Sequence, residues 1–259
     1  MDLGIAGRTA IVSASSSQLG GACARALAEA GCEVVINGRD AEKTNATAAE
    51  ILNTTGAKVT AVVADITAAE GQAALFRACP EPDILINNNA GPPHRDFLEL
   101  TRQQMIDGVI ANMIIAIELI QKAINPMIRR RFGRIVNITS MTVKMPQAGL
   151  ELSSGARAGL TAFLAGVARS VASHNVTINC LLPGAFDTER LRATIEANAK
   201  KQGITTEQAK AERLAIIPAR RFGDPAEFGA ACAFLCSMQA GYVTGQNLLI
   251  DGGAFPGTY

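Results

Sequence analysis

The chain has 259 residues, with 24 lysines and arginines against 23 aspartates and glutamates, so it lacks the basic face of a sequence-independent nucleic-acid or anionic-membrane binder. Hydrophobic residues make up 48% and charged residues 18%, too apolar and too weakly charged for disorder and enough to fill a sizeable core. At about 150 residues per domain, this length favours a single α/β domain.

From the amino terminus, the charges of Asp2 and Arg8 fall where a signal peptide needs its apolar core, so a cytoplasmic location is expected. The first β-type stretch, residues 10–13, runs into Ser13-Ala14-Ser15-Ser16-Ser17-Gln18-Leu19-Gly20, then an Ala-rich segment of helical period. Cys23, Leu27 and Ala30 share one face of that helix, and Gly31 supplies a left-handed stop. A strand-to-helix turn of this kind is where a dinucleotide fold seats its pyrophosphate, so Ser13, Ser15, Ser17, Gln18, Leu19 and Gly20 are candidate phosphate ligands. A polar turn with no ligand is the alternative. The second stretch, 33–37, leads to Arg39-Asp40. An acid there would bind a ribose 2′-hydroxyl, whereas Arg39 suits a 2′-phosphate, so NADP is favoured over NAD; alternatively Arg39 is a solvated charge beside an Asp40 helix cap.

Further stretches follow at 59–63, 84–87, 133–139, 176–182 and 247–250, separated by helical segments. This βαβα order implies right-handed crossovers and a parallel sheet covered on both faces, with ligands beyond the carboxyl ends of the strands. The most apolar run, 109–120, is interrupted by Asn112 and Glu118 and falls short of the roughly 20 residues of a membrane span, so no membrane partner is expected. Residues 188–216 are polar and of mixed charge, and read as an inserted helical flap. The six cysteines form no Cys-x-x-Cys pair and are accompanied by only two histidines, so they read as reduced core thiols with no metal site.

Several motifs agree in order and spacing: Asp65-Ile66 after the third strand, the Asn87-Asn88-Asn89-Ala90-Gly91 string ending the fourth, Asn112, Ser140, Pro183-Gly184 with Thr188, and Gly241-Tyr242-Val243-Thr244-Gly245-Gln246 through Asp251-Gly252-Gly253. In these the whole chain resembles the short-chain dehydrogenase/reductase family, most of all its 3-oxoacyl-[acyl-carrier-protein] reductases. The resemblance implies a Rossmann-like doubly wound parallel sheet in one domain, NADPH as cofactor, hydride transfer with a small carbonyl or alcohol substrate, and a homotetramer or homodimer. It places Asp65 and Ile66 at adenine, and Asn88, Asn89, Ala90, Pro183, Gly184 and Thr188 at the cofactor.

Departures from the family pattern fall on the site itself. Ala14 and Gln18 occupy glycine positions of the phosphate loop, and a gap-free count from Asp83 puts Asn89 and Ala90 where the family has Ala and Gly. Weakened cofactor binding and a small distortion of the strand end are the expected consequences. The family's Tyr and Lys, counted from Ser140, become Ser153 and Arg157. Arg157 can donate to ribose hydroxyls but cannot relay a proton. A serine hydroxyl is several pKa units weaker than a tyrosine, at about 1.36 kcal/mol per unit, and its oxygen falls roughly 4 Å short of a tyrosine oxygen.

If the chain is an enzyme, Asn112, Ser140, Ser153 and Arg157 form its catalytic set, with the proton taken from water or from His94 beyond the fourth strand. Lys144 and Glu151 are charged neighbours of the cleft, Tyr242 and His174 read as structural, and Tyr259 could enter a neighbouring subunit's cleft. The competing reading is a catalytically impaired member that binds a ligand or partners an active subunit. A third, a hydrolase with Ser153 as nucleophile, lacks an adjacent base.

Overall fold

A computed structural model describes residues 2–258. Seven strands, β1 (Thr9–Val12), β2 (Glu33–Gly38), β3 (Val59–Val63), β4 (Ile84–Asn87), β5 (Gly133–Ile138), β6 (Val176–Pro183) and β7 (Asn247–Ile250), form one sheet in the order β3-β2-β1-β4-β5-β6-β7, every pair parallel. Each is the strand expected from sequence, with ends moved by at most one residue. The expected Rossmann-like doubly wound architecture is the one observed, and the order reverses between β1 and β4, opening a crevice at their carboxyl ends.

Alternation along the strands feeds two cores. Val12, Val34, Ile36, Ile86, Val136 and Leu181 meet Cys23 and Leu27 of α1 (Gln18–Glu29) and Phe228 and Cys232 of α9 (Pro225–Cys236). Ile11, Val35, Leu85, Ile135, Ile178 and Leu182 turn the other way. They meet Leu75 of α3 (Ala69–Ala78), Leu119 of α5 (Ile115–Arg129) and Leu160 of α6 (Glu151–Val171). All six cysteines are buried and unpaired, and burial pushes the thiols of Cys32 and Cys180 up to about 12, as expected for core thiols.

Two sequence expectations need correction. The helical run from α4 (Arg102–Val109) through a π-helical turn, Ile110–Ile114, into α5 is one segment, Arg102–Arg129, long and apolar enough by composition to cross a membrane. Counting uninterrupted apolar residues missed it, because Asn112 and Glu118 divide the run without ending the helix. Here its inner residues Ile115, Leu119, Ala123 and Met127 pack on the sheet. The strand end carries no distortion: β4 keeps a continuous register with β1 through Ile86 and with β5 through Asn87.

The polar stretch forms α7 (Glu189–Gln202) and α8 (Thr206–Ala215), which close on a small core of their own, Ile195, Ala199 and Ala209. The remaining helix, α2 (Ala41–Thr55), is capped by Asp40, whose carboxylate accepts from the Lys43 N–H at 3.1 Å. At the opposite end of the sheet Asp83 binds Arg8 and Arg130, and buried Arg134 donates to the carbonyls of Ser237 and Asn175. That end is pinned, which leaves the carboxyl ends for a ligand.

Candidate active site

The turn between β1 and α1 has a backbone built for an anion. Ala14 (φ 44) and Gln18 (φ 55) both lie in the left-handed region that favours glycine, as expected of positions where the family carries glycine. Gly20 cannot carry a side chain: a Cβ there would lie 2.6 Å from the Ala14 carbonyl oxygen. Ser17 stands at the N-cap of α1 but makes no capping bond, and the first turn holds no acid, so neither a side-chain cap nor a carboxylate offsets the positive end of the helix. The Gln18 side chain is exposed and lines, with Ser16, Ser17 and Arg25, a groove of about 960 Å³ that reaches Asp187 and Thr188.

Ser13 and Ser15 do not point at this space. The Ser13 hydroxyl donates to the Asn88 carbonyl at 2.8 Å and accepts from the Asn88 N–H at 2.9 Å. That of Ser15 donates to the Val12 carbonyl at 2.6 Å and accepts from the Asn37 N–H at 3.0 Å. Both fasten the loop to neighbouring strands, a use that sequence spacing could not separate from phosphate binding. Ser16, passed over in the sequence, packs instead against Gly38 at the end of β2. Arg39 follows, its side chain 73% exposed and no closer to a carboxylate than 3.9 Å from Asp65, so its guanidinium is available at the expected ribose end. Asp65 accepts from the Thr67 N–H, and with Arg39 nearby its carboxyl is held below the usual range. The Ile66 side chain is buried in the core with Leu75 and offers a cofactor only its backbone.

At the end of β4, Asn88 donates to the Ala14 carbonyl at 2.8 Å and so pins the phosphate turn. Asn89 donates to the Ala111 carbonyl at 3.0 Å, tying this loop to the turn that carries Asn112, and Ala90 is exposed. On the far side of the crevice Pro183 ends β6, the Gly184 N–H donates to the Ile250 carbonyl at 2.8 Å, and the Thr188 hydroxyl caps α7 by accepting from the Leu191 N–H at 3.2 Å.

The expected catalytic residues come from three elements, of which the turn carrying Asn112 and helix α6 carrying Arg157 border one cavity. Asn112 is buried in the π-helical turn, an irregularity that recurs at functional sites. Its amide donates to the Gly108 carbonyl at 3.2 Å, and its oxygen, like that of Asn87, has no partner. Both line a cavity of about 20 Å³ that Arg157 also borders. Ser140 accepts from the N–H of Thr142 at 3.1 Å and from its hydroxyl at 3.0 Å. With both lone pairs occupied, its proton is left to donate. Ser153 is buried on α6 and accepts from Arg157 Nη1 at 2.5 Å. Burial first, and Arg190 second, lower the Arg157 guanidinium to about 10. No hydrogen bond joins Ser140 to Ser153 among the described residues.

The other proton-bearing groups separate clearly. The His94 ring lies over the α-carbon of Gly149, four residues before Ser153, and its loop is held there by a 3.0 Å bond from the Arg95 N–H to the Gly149 carbonyl. Glu151 accepts from the Gly149 N–H at 3.0 Å, serving its own helix, and Lys144 lies 6.0 Å from the Phe255 ring. Tyr242 is fully exposed and packs nothing, which corrects its structural reading, and Tyr259 lies outside the described residues. His174 sits in a surface turn before β6, at the pinned end of the sheet. Sequence reasoning missed Arg190. It lies in the first turn of α7 and reaches Gly91, a contact across 99 positions that no local pattern announces.

These residues fit a dinucleotide: an uncapped helix N-terminus behind a left-handed turn, an exposed cation after the second strand, and the buried, unpartnered amide oxygens of Asn87 and Asn112. Residues 13–254 match the family profile described as enoyl-(acyl carrier protein) reductase. The chain is 32% identical over 252 residues to the NADPH-dependent reductase BacG of Bacillus subtilis (strain 168), covering 95% of this chain and 97% of that one. Against the 3-oxoacyl-[acyl-carrier-protein] reductase FabG of Aquifex aeolicus (strain VF5) it is 30% identical over 259 residues, covering 98% and 100%. It superposes on the crystal structure of YwfH, described as an NADPH-dependent reductase involved in bacilysin biosynthesis, with a TM-score of 0.92, 31% identity and coverage of 98% and 100%. On the L-sorbose reductase of Gluconobacter frateurii, complexed with NADPH and L-sorbose, the TM-score is 0.94 at 25% identity, with all of both chains covered. Matched by the family profile over most of its length and at least 30% identical to BacG and FabG along nearly all of it, the chain belongs to the short-chain dehydrogenase/reductase family.

Proposed function

We propose that this protein is a cytoplasmic, NADP(H)-dependent oxidoreductase that transfers a hydride between the nicotinamide and a small carbonyl or alcohol substrate. The observation that carries this reading is the β1–α1 turn, which keeps a left-handed backbone at Ala14 and Gln18 although neither residue is a glycine. That conformation, held at both positions where the family carries glycine, supports a ligand at this turn. The names of the relatives point the same way, since BacG and YwfH are described as NADPH-dependent reductases.

In this reading the N–H groups at the start of α1 hold the diphosphate, Arg39 takes the 2′-phosphate, Asp65 and the Ile66 backbone border adenine, and Pro183, Gly184 and Thr188 border the carboxamide. When bound, the nicotinamide supplies or accepts the hydride. Ser140, with both lone pairs occupied by Thr142, donates to the substrate oxygen, and Asn112 shapes the cavity behind Arg157. Ser153 is too weak an acid and is engaged by Arg157, so the proton comes from water or from His94 at the rim.

A second reading, a ligand-binding or partner subunit without turnover, is favoured by Ser153 and Arg157 in place of the proton-transfer pair and by Ala14 and Gln18 at glycine positions of the phosphate loop. Titration with NADPH and NADH separates the two. We expect NADPH to bind more tightly, and Arg39→Ala to remove that preference at a cost of about 1.5–3 kcal/mol. Binding of neither dinucleotide overturns the enzyme reading.

A further inference from the structure

Gly91 is the meeting point of two cations from different parts of the chain. A Cβ on Gly91 would lie 3.2 Å from Arg157 Nη1 and 3.3 Å from both terminal nitrogens of Arg190. The two guanidinium groups are therefore no farther apart than the sum of those distances. Neither forms an ion pair among the described residues. Glu189, beside Arg190 in the sequence, is exposed and pairs with neither, and Asp187 is held by Arg192 at 2.8 Å. Like charges this close repel, with Arg157 half-buried and Arg190 exposed, so the arrangement calls for an anion between them. Two guanidinium groups beside a residue without a side chain offer several N–H donors at close range, the chemistry by which arginines hold carboxylates and phosphates. The site is also one hydrogen bond from the reacting position, because Arg157 donates to Ser153.

We propose that Arg157 and Arg190 form an anion-binding site over Gly91 that holds an oxyanion, a carboxylate or a phosphate, beside Ser153. Resting on the dehydrogenase reading, the site makes the substrate an anionic carbonyl compound, with the cofactor's own diphosphate as the other source of the same chemistry. Arg190 comes from α7, so the anion also ties that helix to the cleft.

The test is calorimetric titration of the NADPH-saturated protein with acetoacetate and with its neutral methyl ester, and of the protein alone with NADPH and with inorganic phosphate. Acetoacetate is expected to bind at least about tenfold more tightly than the ester. Arg190→Ala should remove that advantage, Arg190→Glu should abolish phosphate binding, and Arg192→Ala, whose side chain is committed to Asp187, should change neither. If Arg190→Ala instead weakens NADPH about tenfold and leaves acetoacetate alone, the anion site stands with the diphosphate as its occupant. Should no anion respond to either Arg190 variant, the site is overturned. Wild-type protein that binds phosphate through Arg190 but no dinucleotide would sink the oxidoreductase reading and keep this one.

Discussion

Ala14 and Gln18 carry a conformational cost that can be measured. A left-handed L-residue costs roughly 1–2 kcal/mol, and glycine returns about 0.5–1 kcal/mol of that as extra freedom in the unfolded chain. Replacing both by glycine should therefore stabilise the fold by up to about 1 kcal/mol per site, each kcal/mol read as a rise of about 2–4 °C in the thermal midpoint. NADPH affinity should rise with it; unchanged melting and weaker binding would mean that the turn is already shaped to its ligand. The missing acid is the second residue-scale question. The counts of thirteen and four from Ser140 place Ser153 and Arg157 on one face of α6, where they hydrogen-bond at 2.5 Å. Ser153→Tyr with Arg157→Lys should create or raise NADPH-dependent reduction of a small ketone by about 10²–10⁴-fold. Absence of reduction in a variant that binds NADPH would point to a cleft rebuilt beyond its proton donor. These positions were legible because the motif lies within one helix. The fates of Ser13 and Ser15 were not, since a hydroxyl's partner depends on which strand lies beside it.

Helices α7 and α8 close on Ile195, Ala199 and Ala209, with Leu191, Ile204 and Phe222 around them, apart from both main cores. So small a core lends little cooperative stability, and amides of 189–215 should exchange far faster than those of α5 or α6 in hydrogen–deuterium exchange. Saturating NADPH with acetoacetate should slow exchange in α7 if the helix covers the cleft; equal rates with and without ligands would remove it from that role. Helix α9 offers a pH test. Glu227 accepts from Arg221 and from the Asp224 N–H, and these donors, Arg221 foremost, lower its carboxyl from 4.5 to about 2. Because the folded value is depressed, the stabilisation is present above pH 4.5 and is lost as pH falls through about 2. Urea midpoints of wild type and Glu227→Gln should differ above pH 4.5 and converge towards pH 2. A gap that persists undiminished at pH 2 would assign the effect to packing.

Over the whole molecule the exposed large apolar side chains include Met105, Ile106, Val109, Ile110 and Ile114 of the α4–α5 run and Phe163 of α6, a helix that packs on that run, and, on other elements, Phe234 of α9 and Leu248 of the edge strand β7. Exposed apolar side chains of this kind, one of them on an unpaired sheet edge, call for a partner, and we propose that second copies of this chain cover both groups, giving a tetramer. Sedimentation should then find a dimer for Ile110→Lys with Val109→Lys, a dimer for Phe234→Lys with Leu248→Lys, and a tetramer for the wild type; a monomeric wild type would refute the assembly. The sequence by itself determined the parallel sheet, its seven strands, the helix-bearing phosphate turn and the Ser153–Arg157 exchange, because each is written in a period or a count along a short segment. Only the tertiary structure decided that Ser13 and Ser15 are spent on the sheet, that both lone pairs of Ser140 are taken by Thr142, that an apolar 28-residue helix lies on a core, and that Arg190 meets Arg157 over Gly91. Those outcomes depend on which distant strand end comes to lie beside which loop, and contact across the sheet, unlike periodicity, leaves no mark in neighbouring residues.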